Sequence, residues 1–134
     1  MIKPEMYANL HNHSTHSDGV YNVSEITKIA RDEGYFAMAL TDHDTVTGNY
    51  EMPSACESLG MESLFGCEFM TRSDALSMNF HLTAFGFDPE QSEMKEYLRR
   101  CSVTMTEKTR IIFERGKEHG LLPVVLTWDE VVRD

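Results

Sequence analysis

Five consecutive apolar residues, Phe36-Ala37-Met38-Ala39-Leu40, run directly into Thr41-Asp42-His43-Asp44. An uninterrupted apolar run that ends in a polar, ligand-capable loop reads as a strand buried on both faces, which belongs to a parallel α/β sheet. Its surroundings fit. Residues 22–34 (NVSEITKIARDEG) read as a helix with Asn22 as N-cap, Glu25 completing a capping box, Ile26, Ile29 and Ala30 on one face, and Gly34 as the stop. A second helix is expected over Tyr50 to Leu59, ended by Gly60. Residues 6–13 (MYANLHNH) read as a short strand entering the polar loop STHSDG, and two further strand-like runs cover Ser63 to Met70 and Asn79 to Phe87. Strand alternating with helix predicts a parallel sheet or barrel. The strand from Asn79 follows its predecessor after a short connection, which suits an antiparallel pair.

Beyond Glu90 the pattern is helical to His119, as one helix or two, and ends at Gly120. The tail LLPVVL has the composition of a strand, and Thr127-x-x-Glu130 is a second capping box opening a helix. The chain stops about two turns later, so the sequence reads as a piece of a longer protein. This gives an expected division into residues 1–89, carrying the sheet, and a helical segment over 90–134.

Composition excludes several classes of function. The net charge of −10 argues against a basic nucleic-acid-binding surface. No apolar stretch is long enough to span a bilayer, and MIKPEMYANLHNH lacks the basic-then-apolar layout of a secretory signal, so cytoplasmic residence is expected. Cys56, Cys67 and Cys101 are odd in number and widely spaced, which suits reduced, buried thiols better than a disulfide framework. The methionines read as core filler, and Trp128 as packing at the start of the last helix.

The residues able to carry chemistry fall at strand ends. His11 and His13 are two apart on the first expected strand, so period-two geometry turns both imidazoles to one side, where they can grip one ion. Asp18 follows, with Gly19 allowing the turn that returns its carboxylate to the strand end. His43 ends the second strand, Glu68 lies near the end of the third, and His81 lies early in the fourth. Each has an ordinary reading alone: surface histidines, turn chemistry in Asp-His-Asp, an edge glutamate, a satisfied core histidine. Their joint placement where α/β folds build their sites makes a shared metal centre the better account. Nitrogen and carboxylate ligands without thiolates suit zinc, manganese or iron. Asp42 and Asp44 could orient the histidines or simply shape the turn. His16 could reach a substrate from its loop, and Arg72 could contact an anion.

LHNHSTHSDG, ALTDHDTVTG, GCEF and NFHLTAFGFD resemble the opening motifs of the PHP (polymerase and histidinol phosphatase) superfamily, and the His-x-His-x4-Asp-Gly form is similar to its small stand-alone phosphoesterases. The resemblance implies the N-terminal part of a distorted (β/α)7 barrel with two or three divalent ions (Mn²⁺, Zn²⁺ or Fe²⁺). By matched position, His11 and His13 would hold the first ion, Glu68 would bridge the first and second, His81 would hold the second, and Asp18 and His43 the third. The family's later ligands, a distal histidine and an Asp-x-His pair, have no counterpart here. The same resemblance makes TWDEVVRD part of a helical insertion and counts against a strand at LLPVVL.

The implied activity is hydrolysis of a phosphomonoester or phosphodiester by water activated on the ions, the substrate being a small phosphorylated metabolite, a nucleotide or an oligonucleotide. Two alternatives stand beside it. One is a domain that binds metal or phosphate without catalysis; the other is metal-dependent C–N hydrolysis, which would call for a carboxylated lysine on a strand. Half a barrel also leaves an open sheet edge, so chains are expected to self-associate unless the 90–119 region covers it.

Overall fold

A computed structural model of the chain describes residues 7–132. Two compact units are distinguished, Met1–Met94 and Lys95–Asp134. In the first, β1 (Ala8–Asn9), α1 (Val23–Asp32), β2 (Ala37–Leu40), a 3₁₀ turn (Thr47–Tyr50), α2 (Met52–Ser58), β3 (Glu62–Ser73) and β4 (Met78–Phe85) follow in chain order. The strands form one sheet in the order β1-β2-β3-β4. β1–β2 and β2–β3 are parallel, and β3–β4 is an antiparallel hairpin pairing Gly66 with Phe85 through Ser73 with Met78.

α1 begins as its sequence requires. The Asn22 side chain accepts from Glu25 N–H and the Glu25 carboxylate accepts from Asn22 N–H, both at 3.0 Å. Its buried stripe differs from the expected one: Val23, Thr27 and Ala30 face inward, whereas Ile29 is 41% exposed. Thr27 can be buried because its hydroxyl donates to Val23 O at 2.6 Å, so the helix's own carbonyl satisfies the polar atom that hydropathy alone would place outside. Val23, Ala30, Met38, Leu40, Met52, Cys56 and Met61 form the core between the helices and the sheet. Each buried Val, Leu or Met there contributes about 1.5–3 kcal/mol by leaving water.

The first strand is shorter than the sequence pattern suggests. Ladder pairing stops at Asn9, while Met6 lies outside the described residues. Beyond it the chain stays tied to β2 through Asn12. Its side-chain amide donates to Asn9 O at 3.2 Å and Ala39 O at 3.0 Å, and its carbonyl accepts from Thr41 N–H at 2.8 Å. A side chain thus takes the place of ladder bonds, and His11 and His13 lie on this irregular stretch rather than on a regular strand. Asn49, 2% exposed, acts similarly between β2 and β3: it donates to Leu40 O and Gly66 O and accepts from Gly66 N–H.

In the second unit one helix, α3 (Ser92–Glu118), covers most of the expected helical region, starting just inside the first unit. Gly120, at φ +69°, follows its end. LLPVVL forms no strand. Pro123 instead opens a turn closed by Leu126 N–H donating to Pro123 O at 3.1 Å, and Val124 and Val125 are exposed. α4 (Trp128–Val131) follows, with the Glu130 carboxylate accepting from Thr127 N–H at 2.8 Å and Trp128 packed 5.6 Å from the Phe113 ring.

Candidate metal centre

Glu68 is the residue on which the site converges. It lies in the middle of β3, not near its end, but at the point where the parallel part of the sheet finishes. Pairing of β2 with β3 ends at Leu40–Phe65, and a single further parallel bridge joins His43 to Glu68. That bridge is made by Glu68 N–H donating to Asp42 O and Asp44 N–H donating to Glu68 O. Asp44 turns the chain there at φ +50°, and its carboxylate accepts from Met70 N–H.

The buried Glu68 carboxylate, 5% exposed, faces four imidazoles. Oε2 lies 2.8 Å from His11 Nε2, 3.0 Å from His13 Nε2 and 3.7 Å from His43 Nδ1, while Oε1 lies 3.2 Å from His81 Nδ1. Hairpin register explains the last contact. His81 opposes Met70 and Thr83 opposes Glu68, so His81 is Glu68's diagonal neighbour on the same face. Asp18 completes the set, with Oδ1 3.3 Å from His13 Nδ1 and Oδ2 3.8 Å from His43 Nε2. Burial alone would raise the Glu68 carboxyl. The hydrogen bond from His11 and the charges of His11, His43 and His13 outweigh it and hold the group below its ordinary value.

All six expected residues are therefore brought together. They form three overlapping groups, His11–His13–Glu68, His13–Asp18–His43 and His43–Glu68–His81, with the ligand atoms of each group within 4.8 Å of one another. Donors on one divalent ion at about 2.0–2.2 Å lie within such a spacing. His13 Nδ1 and His43 Nδ1 are buried with no hydrogen-bond partner: Asp18 Oδ1 is near the former but misaligned, and Glu68 Oε2 is too far from the latter. Buried acceptors left open beside carboxylates fit divalent cations.

Gly19 has a different role from the expected one. No left-handed φ is required there; the chain simply passes too close for a side chain, since a Cβ would lie 2.1 Å from His13 O and 2.7 Å from Ser14 N. The remaining candidates, Asp42, His16 and Arg72, belong to none of the three ligand groups. Asp42, fully buried, bonds Ser14 and Ser17 rather than an imidazole. His16 lies 3.3 Å from Glu51, and Arg72 pairs with Asp74 at 3.2 Å. Cys67, beside Glu68, is fully buried, and burial first, then the Asp44 and Asp42 charges, push its thiol up to about 12. Sequence reasoning missed Asn12, Asn49, Ser14 and Ser17, whose polar types in apolar or loop settings carry no signal until their partners are known.

Histidines and carboxylates carried by β3, by β4 and by the segments that follow β1 and β2 thus meet in one cage able to hold divalent ions on a partly curled α/β sheet. The model of the PHP domain matches residues 9–122, and the chain belongs to that family. It is 34% identical over 112 residues to a 5'-3' exoribonuclease of Haemophilus influenzae, covering 84% of this chain and 40% of that protein. A crystal structure from Bifidobacterium adolescentis, described as a candidate metal-dependent phosphoesterase, superposes with TM-score 0.84 at 28% identity, over 96% of this chain and 43% of that one. An amidohydrolase from Chromobacterium violaceum, solved with sulfate bound and no metal, superposes with TM-score 0.72 at 28% identity, over 77% of this chain and 36% of that one. The chain thus spans about two fifths of the first two proteins, and its sheet is the N-terminal part of a PHP barrel.

Proposed function

We propose that the protein hydrolyses phosphoesters with two or three divalent ions, Mn²⁺, Zn²⁺ or Fe²⁺, held by His11, His13, Asp18, His43, Glu68 and His81. The observation that carries this reading is the triple overlap of ligand groups, with Glu68 common to two of them and His13 and His43 each common to two. When bound, the ions would activate water and offset charge on the phosphoryl oxygens. The chain's own residues do the rest. Glu68 holds the His11–His13 side and the His43–His81 side at a fixed spacing, and Asp18 closes the third group from the loop. The substrate proposed is a small phosphorylated metabolite, a nucleotide or an oligonucleotide, a range supported by the phosphoesterase and exoribonuclease relatives. The acidic chain, net −10, has no general attraction for polyanions, so substrate charge must be met inside the cage.

Among the described residues no helix is long and apolar enough to cross a membrane. Cytoplasmic residence belongs to the same proposal and is supported by the cysteine pattern, with Cys56, Cys67 and Cys101 all free thiols.

The experiment is a panel of phosphomonoesters, nucleotides and oligonucleotides assayed on the intact protein with added Mn²⁺, Zn²⁺ or Fe²⁺. Metal-dependent turnover of one class is expected; a metal-loaded protein that hydrolyses none of them overturns the proposal. C–N hydrolysis is the second reading, favoured by the likeness to the amidohydrolase. Against it, β1–β4 contain no lysine to carboxylate.

A further inference from the structure

Asp42 is fully buried, and among the described residues no Lys, Arg or His pairs with it. A carboxylate in that position requires donors, and all three come from one loop. Ser14 N–H donates to Oδ1 at 2.7 Å, Ser14 Oγ to Oδ2 at 2.7 Å and Ser17 Oγ to Oδ1 at 2.6 Å. Both serines stand between His13 and Asp18, the two residues this loop gives to the His13–Asp18–His43 group. Asp42 itself precedes His43, the third member of that group. Its main chain is anchored in turn, since Asp42 O accepts from Glu68 N–H at 3.2 Å and from the Cys67 thiol at 3.4 Å. One buried side chain therefore ties the His13–Asp18 loop to the strand end that presents His43 and, through its backbone, to Glu68.

We infer that Asp42 is a positioning residue for the His13–Asp18–His43 ion, acting through the Ser14–Ser17 span and without touching metal or substrate. The inference rests on the metal-centre reading above and assigns one buried carboxylate to one of its three groups. His11 and His81 lie outside the span that the serines fix, and Asp18 serves the His13–Asp18–His43 group alone, so the other two groups feel the Asp42 side chain only through the shared His13 and His43.

The test titrates the full chain with Zn²⁺ alone, counting bound ions by elemental analysis after equilibrium dialysis. The variants are Asp18→Asn, Asp42→Asn, Ser17→Ala and the Asp18→Asn/Asp42→Asn double. Asparagine keeps an acceptor for Ser14 N–H and Ser17 but turns a donor toward Ser14 Oγ, so Asp42→Asn disturbs the anchor while preserving its volume. Ser17→Ala removes the hydroxyl that donates to Asp42 Oδ1 at 2.6 Å and lies 3.4 Å from Asp18 Oδ1, leaves both Ser14 bonds in place, and is the variant least exposed to folding failure. The expected result is that Asp42→Asn weakens the same class of Zn²⁺ as Asp18→Asn, by about tenfold or more. Ser17→Ala should do so to a smaller degree, and the double variant should lose no more than Asp18→Asn alone. A merely structural role would lower all ion classes together with the melting temperature of the metal-free chain, and that result overturns the inference, as does additive loss in the double variant. If the wild-type chain takes up Zn²⁺ and Asp42→Asn leaves every class unchanged, this inference alone fails. A wild-type chain that takes up none overturns the metal-centre reading and this inference with it.

Discussion

His13 stands between two carboxylates, its Nε2 3.0 Å from Glu68 Oε2 and its Nδ1 3.3 Å from Asp18 Oδ1. An imidazole that faces an acid on both sides links two ligand groups, and Glu68 links two in the same way. Losses at these shared positions should therefore exceed losses at residues serving one group. Glu68→Gln is expected to bind fewer ions per chain than His81→Ala, measured by elemental analysis, and to lower metal-dependent turnover of the intact protein by about 100-fold or more, as loss of an ion's charge stabilisation implies. Equal ion counts in the two variants would contradict the shared role.

Acidification should act on the metal-free chain through the same carboxylate. The folded-state pKa of Glu68 is lowered, despite burial, by its His11 hydrogen bond and the neighbouring imidazole charges. A depressed carboxyl contributes stability that is fully present above its unfolded value and is lost as pH falls through its folded value. With metal chelated, the melting temperature of the wild-type chain should fall across that window more steeply than that of Glu68→Gln. Parallel curves would show that Glu68 contributes nothing of the kind.

Gly19→Ala tests the close approach at the loop. The atoms a Cβ would meet are backbone, His13 O at 2.1 Å and Ser14 N at 2.7 Å, so no side-chain rotation relieves the clash and the loop must open. A cost of about 1–3 kcal/mol is expected, as for other overpacked sites, with weakened binding in the His13–Asp18–His43 group. Thermal denaturation and Zn²⁺ titration check the two halves. A substitution that leaves both unchanged would mean the loop opens without strain.

How far the sequence discloses this architecture varies with the kind of information each residue carries. The capping box at Asn22, the apolar run into Thr41-Asp42-His43-Asp44 and the ligand types themselves all express local rules and are legible. Their expected strand-end positions are not met by Glu68, in the middle of β3, or by His11 and His13, beyond β1. The inward face of α1 is not legible, because Thr27 buries its hydroxyl on Val23 O while the more apolar Ile29 faces solvent. LLPVVL has strand composition but no strand partner, and Pro123 starts a turn instead. The end of β1 was equally hidden: only the β2 carbonyl that Asn12 reaches shows that its amide replaces ladder bonds. The cage itself follows from spacing, whereas the Ser14–Ser17–Asp42 anchor behind it depends on contacts across 25 and 28 residues.

Self-association through β4 is the outcome expected of the sheet's edge. Alternation along β4 puts His81 and Thr83 on the Glu68 face and Met78, Phe80 and Leu82 on the other. Those three apolar side chains are 52%, 38% and 58% exposed, and the strand lies at the end of the β1-β2-β3-β4 order. An edge strand with an exposed apolar face is a template for pairing with a second copy of the chain. Light scattering should therefore show a mass that rises with concentration, and Leu82→Lys should return it to that of one chain by placing a charge where a partner would pack. Because Leu82 lies on the face opposite His81, the variant should keep the wild-type Zn²⁺ count, which separates loss of association from damage to the cage. A wild-type chain that stays monomeric at every concentration would refute the association.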